Sequence, residues 1–260
     1  MPQNIYDDSS FFANYSLLPR SVHGLGGAAE WPTMKRLVGN VKDKDVLDLG
    51  CGMGWFCRWA RDEGARSVLG TDISQNMLRQ ARSFDNALSS GAVSNALIYE
   101  RNDLECLELP SEKYDLVYSS LAFHYLPSVD RLFSNIFRAL RPGGRLVFSV
   151  EHPIMTAPLG PAFDGTYRRD ERGDVFWPLN SYSIEGLRET TWLGVTGVQK
   201  YHRAAETYLN SLIHSGFMLT TVRESWDGMN RKPRSNEEDW GGHRPFLLII
   251  AADKHACRPD

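Results

Sequence analysis

The chain has 260 residues, of which 42% are hydrophobic and 23% charged, with a formal net charge of −3. These values fit a soluble globular protein of one large domain, exclude a disordered or fibrous chain, and leave no basic field for nucleic acid. Cys51, Cys57, Cys106 and Cys257 make no CxxC or zinc spacing, and no run approaches the ~18 apolar residues of a membrane span, so reduced thiols, no metal, no membrane partner and a cytoplasmic location are expected.

The N-terminal stretch "FFANYSLLPRSVHGLGGAAEWP" precedes any strand pattern. Short, apolar, β-rich runs then follow at 45–50, 67–72, 96–101, 114–120 and 145–151, the signature of strands buried on both faces. Between them, Phe56, Trp59 and Ala60 share one helical face, as do Met77, Leu78 and Ala81 behind a Ser74 N-cap. Leu132, Phe133, Ile136, Phe137 and Leu140 form the stripe of a further helix, stopped by Pro142-Gly143-Gly144. From 153 to about 200, Pro153, Pro158, Pro161 and Pro178 alternate with Trp177, Tyr182 and Trp192 without helical period, which predicts an insertion. A helix at 206–216, a strand at 217–226, a polar loop and a strand at 245–253 close the chain as an antiparallel pair. The predicted fold is α/β, a doubly wound, Rossmann-like, mostly parallel sheet of seven strands whose last strand is antiparallel.

In such a sheet, ligands bind beyond the carboxyl ends of the strands. "VLDLGCGMGWF" places Gly50, Gly52 and Gly54 there, where a backbone without Cβ admits a ligand and a helix start offers free N–H groups. The dinucleotide pattern G-x-G-x-x-G is not met: the third glycine falls one residue early and Trp55 takes its place, which speaks against a nicotinamide cofactor. Asp72 ends the second strand, 18 residues past Gly54, where a carboxylate accepts hydrogen bonds from a ribose. A nucleoside without pyrophosphate meets both conditions.

Five segments in order, "VLDLGCGMG", "VLGTDIS", "NDLECLELP", "YDLVYSSLAFHYLP" and "LRPGGRLVFSV", resemble the class I S-adenosylmethionine-dependent methyltransferases. The likeness is dense over 40–152, and "SSLAFHYL" is similar to the small-molecule branch that includes ubiquinone-biosynthesis and malonyl-carrier-protein methyltransferases. The resemblance implies one methyltransferase domain over 1–260, with 1–40 covering the cofactor and 153–200 roofing an acceptor pocket. It implies S-adenosylmethionine held by Asp48 and Gly50 at the methionine end, Gly52 and Gly54 under the ligand, and Asp72 on both ribose hydroxyls. Ile73 and Met77 would flank the adenine, Asp103 and the Leu104 N–H would meet its edge, Ser119 would stand on the fourth motif, and Tyr15 and Arg20 would reach the methionine end. Each has a structural alternative: Asp103 as a turn cap, Asp48 as a strand acid, Met77 as core, Arg20 and Tyr15 as surface and packing residues, the insertion as a packed hairpin.

Methyl transfer from a sulfonium is an in-line displacement that needs alignment and a dry site more than a base. His124 and His152, just past the fourth and fifth strands, are the candidate bases for a hydroxyl acceptor; an amine or a carboxylate acceptor needs none. Tyr125, His202 and Arg203 are further candidates for substrate contact. The expected activity is methylation of oxygen or nitrogen on a small-molecule acceptor by a monomer or homodimer. The competing readings are a cofactor-binding scaffold of the same fold, a nicotinamide-dependent oxidoreductase, and a nucleic-acid or protein methyltransferase. Against the last, the fourth motif reads "SSLA" where amino-modifying nucleic-acid enzymes carry Pro-Pro-Tyr/Phe.

Overall fold

The computed structural model describes residues 3–88, 97–160, 168–225 and 244–256. Before the sheet come α1 (Ser9–Tyr15), α2 (Pro19–Val22) and α3 (Trp31–Val38). The alternating half follows with β1 (Asp45–Leu49), α4 (Trp55–Asp62), β2 (Ser67–Asp72), α5 (Gln75–Leu88), β3 (Leu97–Arg101), β4 (Tyr114–Ser120), α6 (Asp130–Ala139) and β5 (Leu140–Glu151). All five residues of β1 are buried, Asp45 and Asp48 among them, as expected of a central strand covered on both faces. Ser74 caps α5 as the sequence predicts, its Oγ accepting from the Met77 N–H at 3.1 Å.

One boundary differs from expectation. The helix α6 ends at Ala139, and Leu140, the last residue of its predicted stripe, opens β5 instead. Arg141 precedes Pro142 and is therefore biased to extended backbone, so the chain leaves the helix two residues before the proline. Pro142-Gly143-Gly144 thus lies within the splayed start of the strand, where Gly143 N and Gly144 O bond to Lys254.

After β5 come α7 (Pro153–Thr156), the short pair β6 (Arg168–Arg169) and β7 (Val175–Phe176), and the hairpin β8 (Gly186–Trp192) and β9 (Val195–His202). Then α8 (Ala205–His214), β10 (Met218–Ser225) and β11 (Leu247–Asp253) complete the chain. The sheet order is β10-β11-β5-β4-β1-β2-β3, with β11 antiparallel to both neighbours and the other pairings parallel. The connection order reverses between β1 and β4, which opens a crevice at their carboxyl ends. Most of the predicted polar loop before β11, and Cys257, lie outside the described residues.

Two apolar layers hold the sheet. Phe133, Ile136, Phe148, Tyr208 and Leu212 fill one face, and Met34, Phe56, Cys57, Leu78 and Leu116 the other. The crevice therefore stands on a rigid floor. Among the described residues no helix is long and apolar enough to cross a membrane, and no group of three or more His, Cys, Asp or Glu is arranged to hold a metal.

Candidate functional site

A cavity of about 320 Å³ occupies the crevice. Its floor is Gly50 and Gly52; Asp72, Ile73, Met77, Asp103 and Leu104 line one end, and His124, Tyr125, Leu126, Glu151 and Trp192 line the other. A smaller cavity of about 100 Å³ adjoins it, sharing Tyr15, Arg20, Gly50, Gly52 and Ser120 and reaching Asp48, Trp55 and Tyr118. Residues from four separate motifs and the N-terminal segment thus meet around one space.

The end of β2 is built around Asp72. Its Oδ2 accepts from the Gly52 N–H and its Oδ1 from the Ser74 N–H, each at 2.8 Å. Burial pushes the carboxyl up to about 6, against the pull of those two amides, and the nearby Asp7 charge adds to the rise. Neither oxygen has a cationic partner among the described residues, so each keeps a lone pair for a hydroxyl. Asp48, nearly fully buried, is pushed up to about 7 by burial, although the Cys57 thiol donates to its Oδ2 at 3.1 Å.

The three glycines divide in role. At Gly52, with φ +52°, a Cβ would meet only the Met77 sulfur at 4.0 Å, so the space above the backbone is open. At Gly54, with φ +72°, a Cβ would strike the Tyr99 hydroxyl at 2.3 Å. Gly54 lines neither cavity; it is the N-cap of α4 and gives way to Tyr99, a packing requirement in place of the predicted ligand contact. Trp55, which stands where the dinucleotide pattern has its third glycine, lines the smaller cavity and packs against Gly24, Arg58 and Phe84.

Two further expectations are corrected by the phase of a strand. Ser119 donates to the Leu49 carbonyl at 2.7 Å inside the sheet, and its neighbour Ser120 faces the cavity. His152 likewise misses the cavity: its Nδ1 accepts from the Ile154 N–H as the cap of α7, and its Nε2 pairs with Glu224 at 2.9 Å. Glu151, one residue earlier, faces the cavity instead. Successive strand side chains point to opposite faces, so only one of the two is able to do so.

His124 is in place but poorly suited as a base. Burial, then the Lys200, Arg203 and Arg20 charges, outweigh Glu151 and pull its imidazole down to about 4. The Glu151 N–H donates to Nδ1 at 3.4 Å, which assigns the proton of the neutral ring to Nε2 and makes that nitrogen a donor. Asp103 lines the cavity and also caps its own turn, accepting from the Glu105 N–H at 2.9 Å. Arg20 finds its carboxylate within the protein, its Nη2 lying 3.0 Å from both oxygens of buried Glu30. Neither His202 nor Arg203 lines the cavity: His202 pairs with Thr156 Oγ1 at 2.9 Å and the Tyr182 carbonyl at 2.8 Å, and Arg203 donates to the Leu126 carbonyl behind the wall.

Two elements meet over the cavity. Gln3 donates to the Gly197 carbonyl and accepts from the Gln199 N–H, both at 2.8 Å, and Asn14 donates to the Leu193 carbonyl at 2.9 Å, which stitches the N-terminal segment to the β8–β9 hairpin. Asp7 accepts from Ser74 Oγ (2.6 Å) and the Asn76 N–H (2.9 Å) at the head of α5, and Tyr6 pairs with Tyr125 through their hydroxyls at 3.0 Å. Edge-on contacts of Trp192 with Phe11 and Tyr15 fill the seam. Sequence periodicity carried no sign of these contacts, because each joins residues more than 65 positions apart.

The donor set fits an adenosine-bearing sulfonium: a ribose-ready carboxylate, an open glycine backbone, and apolar Ile73, Met77 and Leu104 beside it. The fold and this site define a class I methyltransferase. A methyltransferase domain family matches residues 47–148. The crystal structure of an S-adenosylmethionine-dependent methyltransferase from Mesorhizobium loti superposes with a TM-score of 0.76 at 44% identity, covering 88% of this chain and 100% of that one. An uncharacterized protein of Haemophilus influenzae is 36% identical over 254 residues, 96% of this chain and 97% of its own length. A malonyl-[acyl-carrier protein] O-methyltransferase of Enterobacter lignolyticus is 38% identical over 104 residues, only 40% of this chain and 38% of that protein. The chain belongs to the S-adenosylmethionine-dependent methyltransferases.

Proposed function

We propose that the protein methylates oxygen or nitrogen on a small-molecule acceptor, with the cofactor along Gly50, Gly52, Asp72 and Asp103 and the acceptor beneath the β8–β9 hairpin. The observation that carries this reading is one continuous cavity lined by both Asp72 and Trp192. Bound S-adenosylmethionine supplies an electrophilic methyl group on its sulfonium.

The chain's own residues supply alignment and dryness. Asp72 accepts from the ribose hydroxyls while its other contacts hold the glycine loop, so the cofactor site is set before binding. Tyr15 and Arg20 close the methionine end, Arg20 with the guanidinium nitrogens left over from its bond to Glu30. At the acceptor end the wall is Tyr6, Tyr125, Leu126 and Trp192, apolar faces with a few polar tips. Burial pushes the Tyr6 and Tyr125 phenols far above their ordinary value, so both stay protonated and serve as hydrogen-bond partners. His124 offers Nε2–H to orient the acceptor, and the joined N-terminal segment and hairpin exclude water from the transfer.

Titration calorimetry tests the cofactor half: S-adenosylmethionine and S-adenosylhomocysteine are expected to bind and NADH is not. Heat from NADH alone overturns it. Incubation with a metabolite extract and trideuteromethyl cofactor, followed by mass spectrometry, tests the acceptor half. Label appearing only on protein or nucleic acid overturns the small-molecule reading.

A further inference from the structure

We propose that Glu151 is the acceptor-binding residue and that it selects an acceptor bearing a hydrogen-bond donor, an amine or a hydroxyl, over a carboxylate. This rests on the methyltransferase reading above and names the substrate class of the same site.

Glu151 ends β5, and its side chain lines the cavity beside His124 and Tyr125. Lys200 from β9 reaches it across the insertion, Nζ to Oε1 at 2.5 Å, which leaves Oε2 without a hydrogen-bond partner among the described residues. Both side chains are largely buried, at 18% and 9% exposure, and the Trp192 ring packs against the ammonium at 4.8 Å.

A buried ion pair is a poor way to stabilise a fold, since each ion loses its hydration and an apolar pair of similar volume does as well. A pair on a cavity wall with one carboxylate oxygen left open has another use. Burial alone raises the Glu151 carboxyl, but the charges around it, the Lys200 ammonium first among them, outweigh burial and hold the group below its usual range, so it is ionised at neutral pH. An ionised carboxylate only accepts hydrogen bonds. The positive charges nearby do not reverse its sign toward the acceptor: Lys200 and Arg203 do not line the cavity, and Arg20, which does, is bonded to Glu30 and assigned to the methionine end. A carboxylate acceptor would meet like charge, whereas the N–H of an amine or ammonium or the O–H of a hydroxyl donates to Oε2.

The test uses benzylamine, benzyl alcohol and benzoate, whose shared ring suits a wall of Tyr6, Tyr125 and Trp192, titrated by ligand-observed NMR into the S-adenosylhomocysteine-loaded protein. Benzylamine and benzyl alcohol are expected to bind roughly 10–100-fold tighter than benzoate, as a hydrogen bond to a charged group implies. Glu151→Gln should erase that order. Because it leaves Lys200 buried without a counter-ion, the double variant Glu151→Gln/Lys200→Met is measured beside it and should erase the order too. Benzoate binding as tightly as benzylamine, no benzylamine binding, or an order that survives in the double variant overturns the proposal. So does a Glu151→Gln variant that loses affinity for S-adenosylmethionine but not for S-adenosylhomocysteine, which would assign the charge to the sulfonium. Failure of the wild type to bind S-adenosylhomocysteine at all removes the methyltransferase reading instead.

Discussion

The Gly52 N–H donates to Asp72 Oδ2 at 2.8 Å, so the carboxylate at the end of β2 holds the glycine loop that follows β1. Asp72→Ala therefore removes the ribose acceptor and loosens the cofactor floor together. The expected loss of S-adenosylhomocysteine affinity is about 1.5–3 kcal/mol, roughly 10–150-fold, by calorimetry. Unchanged affinity in a folded variant would move the ribose elsewhere.

The two raised carboxyls predict opposite pH trends for binding and for stability. Only ionised Asp72 accepts two hydroxyl donors, so affinity should climb as pH rises through about 6, and Asp72→Asn should flatten that limb. For the ligand-free fold the sign reverses. Asp48 and Asp72 hold protons more tightly folded than unfolded, so their contribution to stability is full below about pH 4 and is lost as pH rises through about 6 and about 7. Asp48→Asn should reduce the fall in unfolding free energy between pH 5 and pH 8, by at most about 3 kcal/mol at ~1.4 kcal/mol per pH unit up to about 7. A fall of the same size in that variant would contradict this.

Gly52→Ala and Gly54→Ala separate binding from folding. Both put a side chain in left-handed backbone, at about 1–2 kcal/mol. Gly54→Ala also drives a methyl into Tyr99, adding about 1–3 kcal/mol of overpacking, and should lower the thermal midpoint the more. Gly52→Ala should leave that midpoint closer to wild type yet lose S-adenosylhomocysteine binding, because its methyl enters the cavity. Equal binding by the two variants would contradict the division.

The histidines should behave unlike a base. Once an acceptor is known, wild-type turnover at saturating cofactor should show no ionisation near 6.5, since burial holds His124 near 4, and His124→Asn should cost less than the 10²–10⁴-fold of a lost general base. His152→Ala should leave turnover unchanged while costing about 0.5–2 kcal/mol of stability, as lost helix caps do. A rate limb near pH 6.5 that vanishes with His124 would restore the base.

Residues 44–72 disclosed much of the site on their own, because strand burial, the glycine turn and an acid at the next strand end are all local consequences of chain sequence. Asp72 was legible for that reason, whereas Ile73, Met77, Asp103 and Leu104, which line the same cavity, were pointed to only by the family resemblance of their motifs. What no local pattern states is the phase with which a strand end meets the cavity. Glu151 and His152, like Ser119 and Ser120, are adjacent in sequence and opposite in space, and the register of β5 against β4 and β11 decides which of each pair faces inward. Gly54 reads as a ligand contact until Tyr99, on a different strand, is seen to occupy the space above it. The acceptor end lay furthest from view, since Lys200 reaches Glu151 only after the insertion folds back as a hairpin, and a side chain's charge and exposure there are set by partners 49 residues away.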